Sequence, residues 1–112
     1  VAECWDGIPE HGNFKKLLAG AKSWEDILTQ VYTPGFALTD QWQAQTLAMI
    51  LRRAKVHMYS DCLTAEQIRL AHLEPVQSVE EVIEKILAEK PEATICVLPE
   101  GPQTIPYVVG EE

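Results

Sequence analysis

Residues 39–45 combine one tryptophan with three glutamines at the start of a predicted helix. The N-terminus of a helix offers free N–H groups and a partial positive charge, which suit a carboxylate ligand. Trp42 can add an apolar wall that also carries a hydrogen-bond donor. The alternative is structural: Asp40 caps the helix, Gln43 completes a capping box and Trp42 fills core space. The residues alone favour the structural interpretation.

A second stretch that could carry chemistry is the acidic, glycine-containing segment over residues 3–12. It contains Glu3, Asp6 and His11, and His11 could transfer a proton or bind a metal ion. The structural alternative is a surface loop in which the Asp-Gly and His-Gly pairs form turns. Because no second ligand stands at metal-binding spacing, the structural alternative is favoured. Glu3, Asp6 and His11 remain candidates for a loop that lines a cleft.

Other patterns of catalytic or metal-binding residues are absent from the sequence. Cys4, Cys62 and Cys96 are far apart and lack zinc-site spacing, which predicts three free thiols in a reducing compartment. No Ser/His/Asp or Cys/His set and no phosphate-binding glycine motif is recognisable. His57 and His72 are interpreted as structural. No catalytic residue and no metal ligand is therefore assigned to this chain.

The elements that must position these residues are predicted from apolar spacing and helix start signals. A short helix is expected over residues 13–19, and four more begin near Ser23, Asp40, Thr64 and Ser78. The residues that follow Thr64 and Ser78 predict capping boxes, and the apolar residues of the last helix recur on one side. Four β-rich runs lie at residues 1–4, 56–59, 74–76 and 93–98. This alternation predicts an α/β fold of three layers, with a small, mostly parallel sheet of about four strands and helices on both faces. Ligands of such sheets bind at the carboxyl ends of the strands.

Length and charge narrow the classes of function. The 112 residues suffice for one domain, and no apolar run approaches the length that spans a bilayer. Seventeen acidic residues against nine basic ones give a net charge of −8, which disfavours binding to nucleic acid. The absence of a signal peptide and the predicted free thiols indicate a cytoplasmic protein.

The sequence Leu-Thr-Asp-Gln-Trp-Gln-Ala-Gln at residues 38–45 resembles a motif in the C-terminal domain of the nickel-dependent lactate racemase family. The opening Val-Ala-Glu-Cys-Trp-Asp-Gly, the His-Gly pair at residues 11–12 and the Leu-Pro-Glu-Gly-Pro at residues 98–102 are similar too. The resemblance covers nearly the whole chain. It implies a single domain over residues 1–112 that belongs to a larger protein, whose N-terminal catalytic domain is not part of this chain.

The resemblance also implies a function. Members of this family are two-domain enzymes that racemise or epimerise 2-hydroxy acids with a nickel-pincer nucleotide. The cofactor, its ligands and the acid/base histidines belong to the N-terminal domain, so this chain is expected to be inactive alone and to bind no cofactor. Trp42 matches a substrate-facing residue, and Gln41 and Gln43 are its neighbours in a substrate-binding turn. The expected partners are the N-terminal domain and, in the full-length protein, a small 2-hydroxy acid.

Two further classes of function stay open beside the enzyme domain, which is favoured. One is a non-catalytic α/β module that binds a small ligand, and the other is a structural domain that contacts a partner. Loss of the N-terminal domain predicts exposed apolar surface near Trp5, near Trp42 and along the strand that begins at Val1. Self-association of the chain is an expected consequence.

Overall fold

Residues 1–107 are described by the structure, a computed structural model, and the chain divides into two compact units, Val1–Val79 and Glu80–Glu112. The last five residues of the domain predicted over residues 1–112 lie outside the described part, and the single-domain prediction stays a prediction. The elements in chain order are α1 (Phe14–Gly20), α2 (Trp24–Val31), α3 (Gln41–Leu51), β1 (His57–Met58), α4 (Ala65–Leu70), β2 (Glu74–Pro75), α5 (Val79–Glu89) and a 3₁₀ turn (Gly101–Gln103).

The core of the first unit is formed by the helices α1, α2 and α3. Half-buried side chains, among them Phe14, Trp24 and Phe36, pack against one cluster of buried residues. That cluster consists of Leu17, Leu18, Ala21, Ile27, Leu28, Val31, Ala44 and Ala48. The contribution of α3 is the two alanines, both of which are completely buried. Because an alanine side chain is only a methyl group, the backbone of α3 lies close to its neighbours.

The helix start signals in the sequence act differently at α2 and α4. At α4, Thr64 and Gln67 form the predicted capping box, with Thr64 Oγ1 accepting from the Gln67 N–H at 3.2 Å and Gln67 Oε1 accepting from the Thr64 N–H at 2.8 Å. At α2, the Ser23 side chain makes no cap. Asp26 Oδ2 accepts instead from the backbone N–H of Lys22 at 2.9 Å. The aspartate thus secures the chain one residue before the cap position.

The sheet consists of β1 and β2, which pair in parallel with His57 opposite Glu74. The Glu74 N–H donates to Val56 O at 3.0 Å, and the Val76 N–H donates to Met58 O at 3.0 Å. α4 connects the two strands, as the crossover of a parallel pair requires. The chain is therefore a mixed helix and strand structure with a small parallel sheet, and two of the four predicted strands are confirmed.

The other two predicted strands are not strands in the part of the chain that is described. Residues 1–4 make one bond of the ladder type, from the Ala2 N–H to Tyr59 O at 3.2 Å, and the left-handed backbone of Cys4 (φ 56°) ends the extended run. Residues 93–98 have no strand assignment, and Val97 is exposed. The prediction counted β-rich runs, but a strand also needs a partner backbone. The four-stranded, three-layer arrangement is therefore not confirmed.

The second unit is described over residues 80–107. It contains all but the first residue of α5, and no residue of that helix is buried. The predicted one-sided apolar face of α5 is thus at most half-buried. In the 3₁₀ turn, Thr104 Oγ1 donates to Glu100 O at 3.0 Å, which closes the turn. Within residues 1–107, no helix combines the length and the apolar character that crossing a membrane requires.

Candidate functional site

The turn that leads into α3 is held by its own backbone and by the side chain of Gln41. Gln41 Oε1 accepts from the Leu38 N–H at 2.7 Å, and the Gln41 N–H donates to Leu38 O at 3.2 Å. Asp40 has a left-handed backbone (φ 66°), and its side chain makes no cap. The interpretation of Asp40 and Gln43 as a capping box is therefore wrong, because Gln41 secures the turn and Gln43 is exposed.

Trp42 lies on the solvent side of α3. Its side chain is 64% exposed, whereas Ala44 and Ala48 on the opposite face of the same helix are completely buried. The interpretation of Trp42 as a core-filling residue is therefore wrong. An exposed indole next to an exposed glutamine amide can offer a small ligand an apolar wall and a polar edge. The substrate-binding role of Trp42, Gln41 and Gln43 stays a prediction.

The predicted cleft loop reaches the α3 turn with its C-terminal end. Gly12 lies so close to the Asp40 carboxylate that an added Cβ would overlap Oδ2. Asn13, the cap residue of α1, donates from Nδ2 to Thr39 O at 3.2 Å. His11 is exposed and immediately precedes this contact. The structure thus brings together two motifs that are 26 residues apart in sequence.

Glu3 and Asp6 lie at the other end of the same loop, which is fastened to the end of β1. Ser60 Oγ donates to Glu3 O at 2.7 Å, and the Trp5 indole N–H donates to the Glu3 carboxylate. Asp6 is exposed in the turn that follows. Glu3 therefore bonds to its own segment and to the β1 end. The predicted cleft-lining roles of Glu3, Asp6 and His11 stay predictions.

One ion pair joins the loop to α1. Lys15 Nζ lies 2.6 Å from Glu10 Oε1. The hydrogen bond from Lys15, together with its positive charge, lowers the pKa of the Glu10 carboxyl below its ordinary value. Because Lys15 belongs to the first turns of α1, the pair fixes the loop on the same helix whose cap residue contacts the α3 turn.

A pocket of about 250 Å³ lies at the carboxyl ends of the two strands. Its lining includes Ser60 after β1, Val76 and Gln77 after β2, and Ile68 and Arg69 of α4. This is the position at which parallel sheets bind ligands. Arg69 supplies a positive charge there, and a guanidinium is suited to a carboxylate or phosphate group.

The histidine and cysteine side chains that could bind a metal ion either have a structural role or do not form a metal site in the described part of the chain. His72 Nε2 and Leu18 O are 2.9 Å apart, and because a carbonyl accepts, Nε2 carries the proton of this bond. His72 therefore ties the end of α4 to the helical core. Cys4, Cys62 and Cys96 are free thiols, as predicted. Over residues 1–107, no group of three or more His, Cys, Asp or Glu side chains could hold a metal ion.

Residues 1–105 match the model of the lactate racemase C-terminal domain family. The chain belongs to this family. A lactate racemase from Thermoanaerobacterium thermosaccharolyticum is 31% identical over 110 residues, which cover 94% of this chain and 25% of that protein. The structure of the lactate racemase apoprotein from the same organism superposes with a TM-score of 0.68 at 28% identity, covering 81% of this chain and 22% of that chain. The present chain thus spans about a quarter of the length of these relatives.

The family membership predicted from the motif at residues 38–45 is confirmed. What sequence reasoning missed in this lactate racemase C-terminal domain is the contact of Gly12 with Asp40 and the bond from Asn13 to Thr39. No spacing rule connects the two segments, and the glycine after His11 was the one local signal of a special backbone. Trp42 is exposed, as expected, but the extension of this exposed apolar surface along α3 to Met49 and Ile50 was not predicted. The signal was present, since no residue of that helix is charged.

Proposed function

We propose that this lactate racemase C-terminal domain forms one wall of the substrate cleft of a 2-hydroxy-acid racemase or epimerase, and that it is inactive alone. The observation that carries the proposal is the exposed Trp42 indole on a helix whose opposite face is anchored in the core. A side chain on such a rigid helix can hold a ligand in one orientation and exclude water from it.

The side chains of the α3 turn support this role better than its backbone does. The N–H groups of Gln41 and Gln43 donate within the turn, to Leu38 O at 3.2 Å and to Asp40 O at 3.1 Å. Two of the N–H groups at this helix end are thus engaged within the turn. We therefore assign substrate contact to the Trp42 indole and the Gln43 amide, and the shape of the turn to Gln41.

The reactive groups are proposed to lie on the rest of a longer, cytoplasmic polypeptide. Residues 1–107 contain no group of three or more His, Cys, Asp or Glu side chains that could hold a metal ion. We assign the nickel-pincer nucleotide to the other part of the polypeptide, as the family resemblance implies. No chemical step is assigned to the chain. Its own residues bind the 2-hydroxy acid, orient it and exclude water, while the cofactor and the acid/base residues come from the N-terminal part of the full-length protein.

The test is the replacement of Trp42 in the full-length protein loaded with cofactor. Racemisation is followed by optical rotation across a panel of 2-hydroxy acids. Trp42→Ala is expected to lower kcat/KM by about 10- to 100-fold, the size of effect that small errors in substrate position produce. Tyr32→Phe is the control, because that aromatic side chain is almost equally exposed, at 61%, but stands at the C-cap of α2, where its hydroxyl accepts from Gln45 Nε2 at 3.3 Å.

An unchanged kcat/KM in Trp42→Ala would show that the cleft role is wrong. Racemisation by the 112-residue chain alone would contradict the assignment of the reactive groups to the rest of the polypeptide. If no 2-hydroxy acid is racemised by the full-length protein, the alternative of a small-ligand-binding module gains weight, with the pocket beside Arg69 as its place of binding.

A further inference from the structure

The helix α3 has two apolar faces, and one of them is exposed. Ala44 and Ala48 face the core, and Leu47 and Leu51 beside them are half-buried. On the opposite side, Trp42, Met49 and Ile50 are 64%, 50% and 47% exposed. An ordinary surface helix carries charged or polar residues on its outer face, and a helix that is apolar on all sides is normally covered on all sides.

The exposed residues form one continuous stripe. Its members recur at steps of three or four residues, which places them on one side of the helix. They are Trp42, Thr46, the adjacent pair Met49 and Ile50, and Arg53. The last four line a shallow groove of about 390 Å³. We call these five residues the α3 stripe. It begins at the proposed cleft residue Trp42 and continues away from it along the helix.

The charge pattern singles out the same surface. All seventeen acidic residues of this acidic chain lie outside residues 41–60, a segment that carries three basic residues. The α3 stripe thus lacks the carboxylates that make the rest of the surface hydrophilic. Arg53 adds a positive charge at one end. Such a face fits a partner surface that is apolar at its centre and acidic at its rim.

The relatives indicate which partner this is. The match covers a quarter of the related lactate racemase, so about three quarters of that protein have no counterpart in this chain. We propose that the α3 stripe is the surface on which this remaining part of the same polypeptide docks, with an acidic group opposite Arg53. The inference rests on the proposed function, because it takes the occupant to be the other part of the same enzyme.

Met49 is a natural probe of this contact. The chain has two methionines, Met49 in the stripe and the half-buried Met58 in β1. Hydrogen peroxide oxidises a thioether at a rate that follows its exposure. We expect Met49 to be oxidised about tenfold more slowly in the full-length protein than in the 112-residue chain, and Met58 to react at the same rate in both. Equal rates for Met49 would overturn the proposal.

Substitutions locate the contact more closely. Ile50→Asn in the full-length protein should weaken docking about tenfold and restore fast oxidation of Met49, since about half of an isoleucine side chain loses its burial. Ile95→Asn is the matched control, because Ile95 is also 47% exposed but lies outside the stripe. Arg53→Glu should act like Ile50→Asn, and Arg52→Glu, about 100° further round the helix, should not. Equal effects of Ile50→Asn and Ile95→Asn would refute the assignment of the stripe.

Two further outcomes separate this proposal from others. Protection of Met49 that rises with protein concentration in the full-length protein would mean that a second copy covers the stripe, and would overturn the proposal. Protection of Met49 together with an unchanged kcat/KM in Trp42→Ala would support docking and end the proposed cleft role. A loss of activity in Trp42→Ala without protection of Met49 would overturn docking and leave the cleft role standing.

Discussion

The contact between Gly12 and Asp40 joins the loop to the α3 turn, and Gly12→Ala tests it directly. Gly12 has a left-handed backbone (φ 78°), and a Cβ built on it would overlap Asp40 Oδ2 and lie 3.3 Å from Asp40 Cγ. Two separate penalties are therefore expected. One is the strain of a non-glycine residue in this conformation, and the other is the displacement of the Asp40 carboxylate.

Gly35 provides a control that contains only the first penalty. Its backbone is also left-handed (φ 83°), but no atom lies within 4 Å of an added Cβ. A left-handed alanine costs about 1–2 kcal/mol, and the loss of glycine freedom in the unfolded chain offsets about 0.4–1 kcal/mol. Forcing Asp40 off its rotamer adds about 0.5–1.5 kcal/mol. Gly12→Ala should thus cost about 2 kcal/mol and Gly35→Ala about 1 kcal/mol.

The assay is urea unfolding of the 112-residue chain and its variants, followed by circular dichroism. Adding Asp40→Gly removes the carboxylate while keeping a residue that tolerates the left-handed backbone of that position. In this background Gly12→Ala should cost no more than Gly35→Ala, a coupling of about 1 kcal/mol. Equal costs of Gly12→Ala and Gly35→Ala in the parent chain, or strictly additive effects with Asp40→Gly, would refute the contact.

Two further predictions concern a helix cap and an ion pair. Thr64→Ala should destabilise the chain by about 1 kcal/mol, whereas Ser23→Ala, at a cap position without a side-chain bond, should change the free energy of unfolding little. By NMR titration, the Glu10 carboxyl should titrate at lower pH in the parent chain than in Lys15→Met. Because its pKa is lowered on folding, the pair stabilises the folded chain above the ordinary glutamate pKa, and this contribution is lost as the pH falls through the lowered value. Identical Glu10 midpoints in the two proteins would contradict the pair.

The positions of the helices could be predicted because their signals are local. Thr64 and Gln67 form the capping box that the sequence specified, and the apolar residues of α1 and α2 face the core. The extent of the sheet could not be predicted in the same way. Residues 93–98 have strand composition, but pairing depends on a backbone elsewhere in the chain. The left-handed turn at Cys4 carries no signal in its residue type, since cysteine rarely adopts it.

The candidate site was predicted as two separate segments, and their meeting could not be foreseen. The contact of Gly12 with Asp40 depends on the packing of α1 against α3, which neither motif encodes. The prediction that Trp42 fills core space was also wrong, and the reason is physical. A tryptophan in an apolar helix is usually buried, but Ala44 and Ala48 already fill the core-facing side of α3 and leave the indole outside.

The two alanines under α3 have an effect on the position of Trp42. Their methyl groups determine how closely α3 packs against the core. A bulkier residue at Ala48 would push α3 outward and lower the stability of the fold by about 1–3 kcal/mol. Trp42 would move with it, since the helix shifts as one body. In the proposed cleft, the width beside the indole would therefore depend on two positions that do not contact the proposed substrate. Under this proposal, differences in substrate range among related chains are expected at these alanines as well as at the indole.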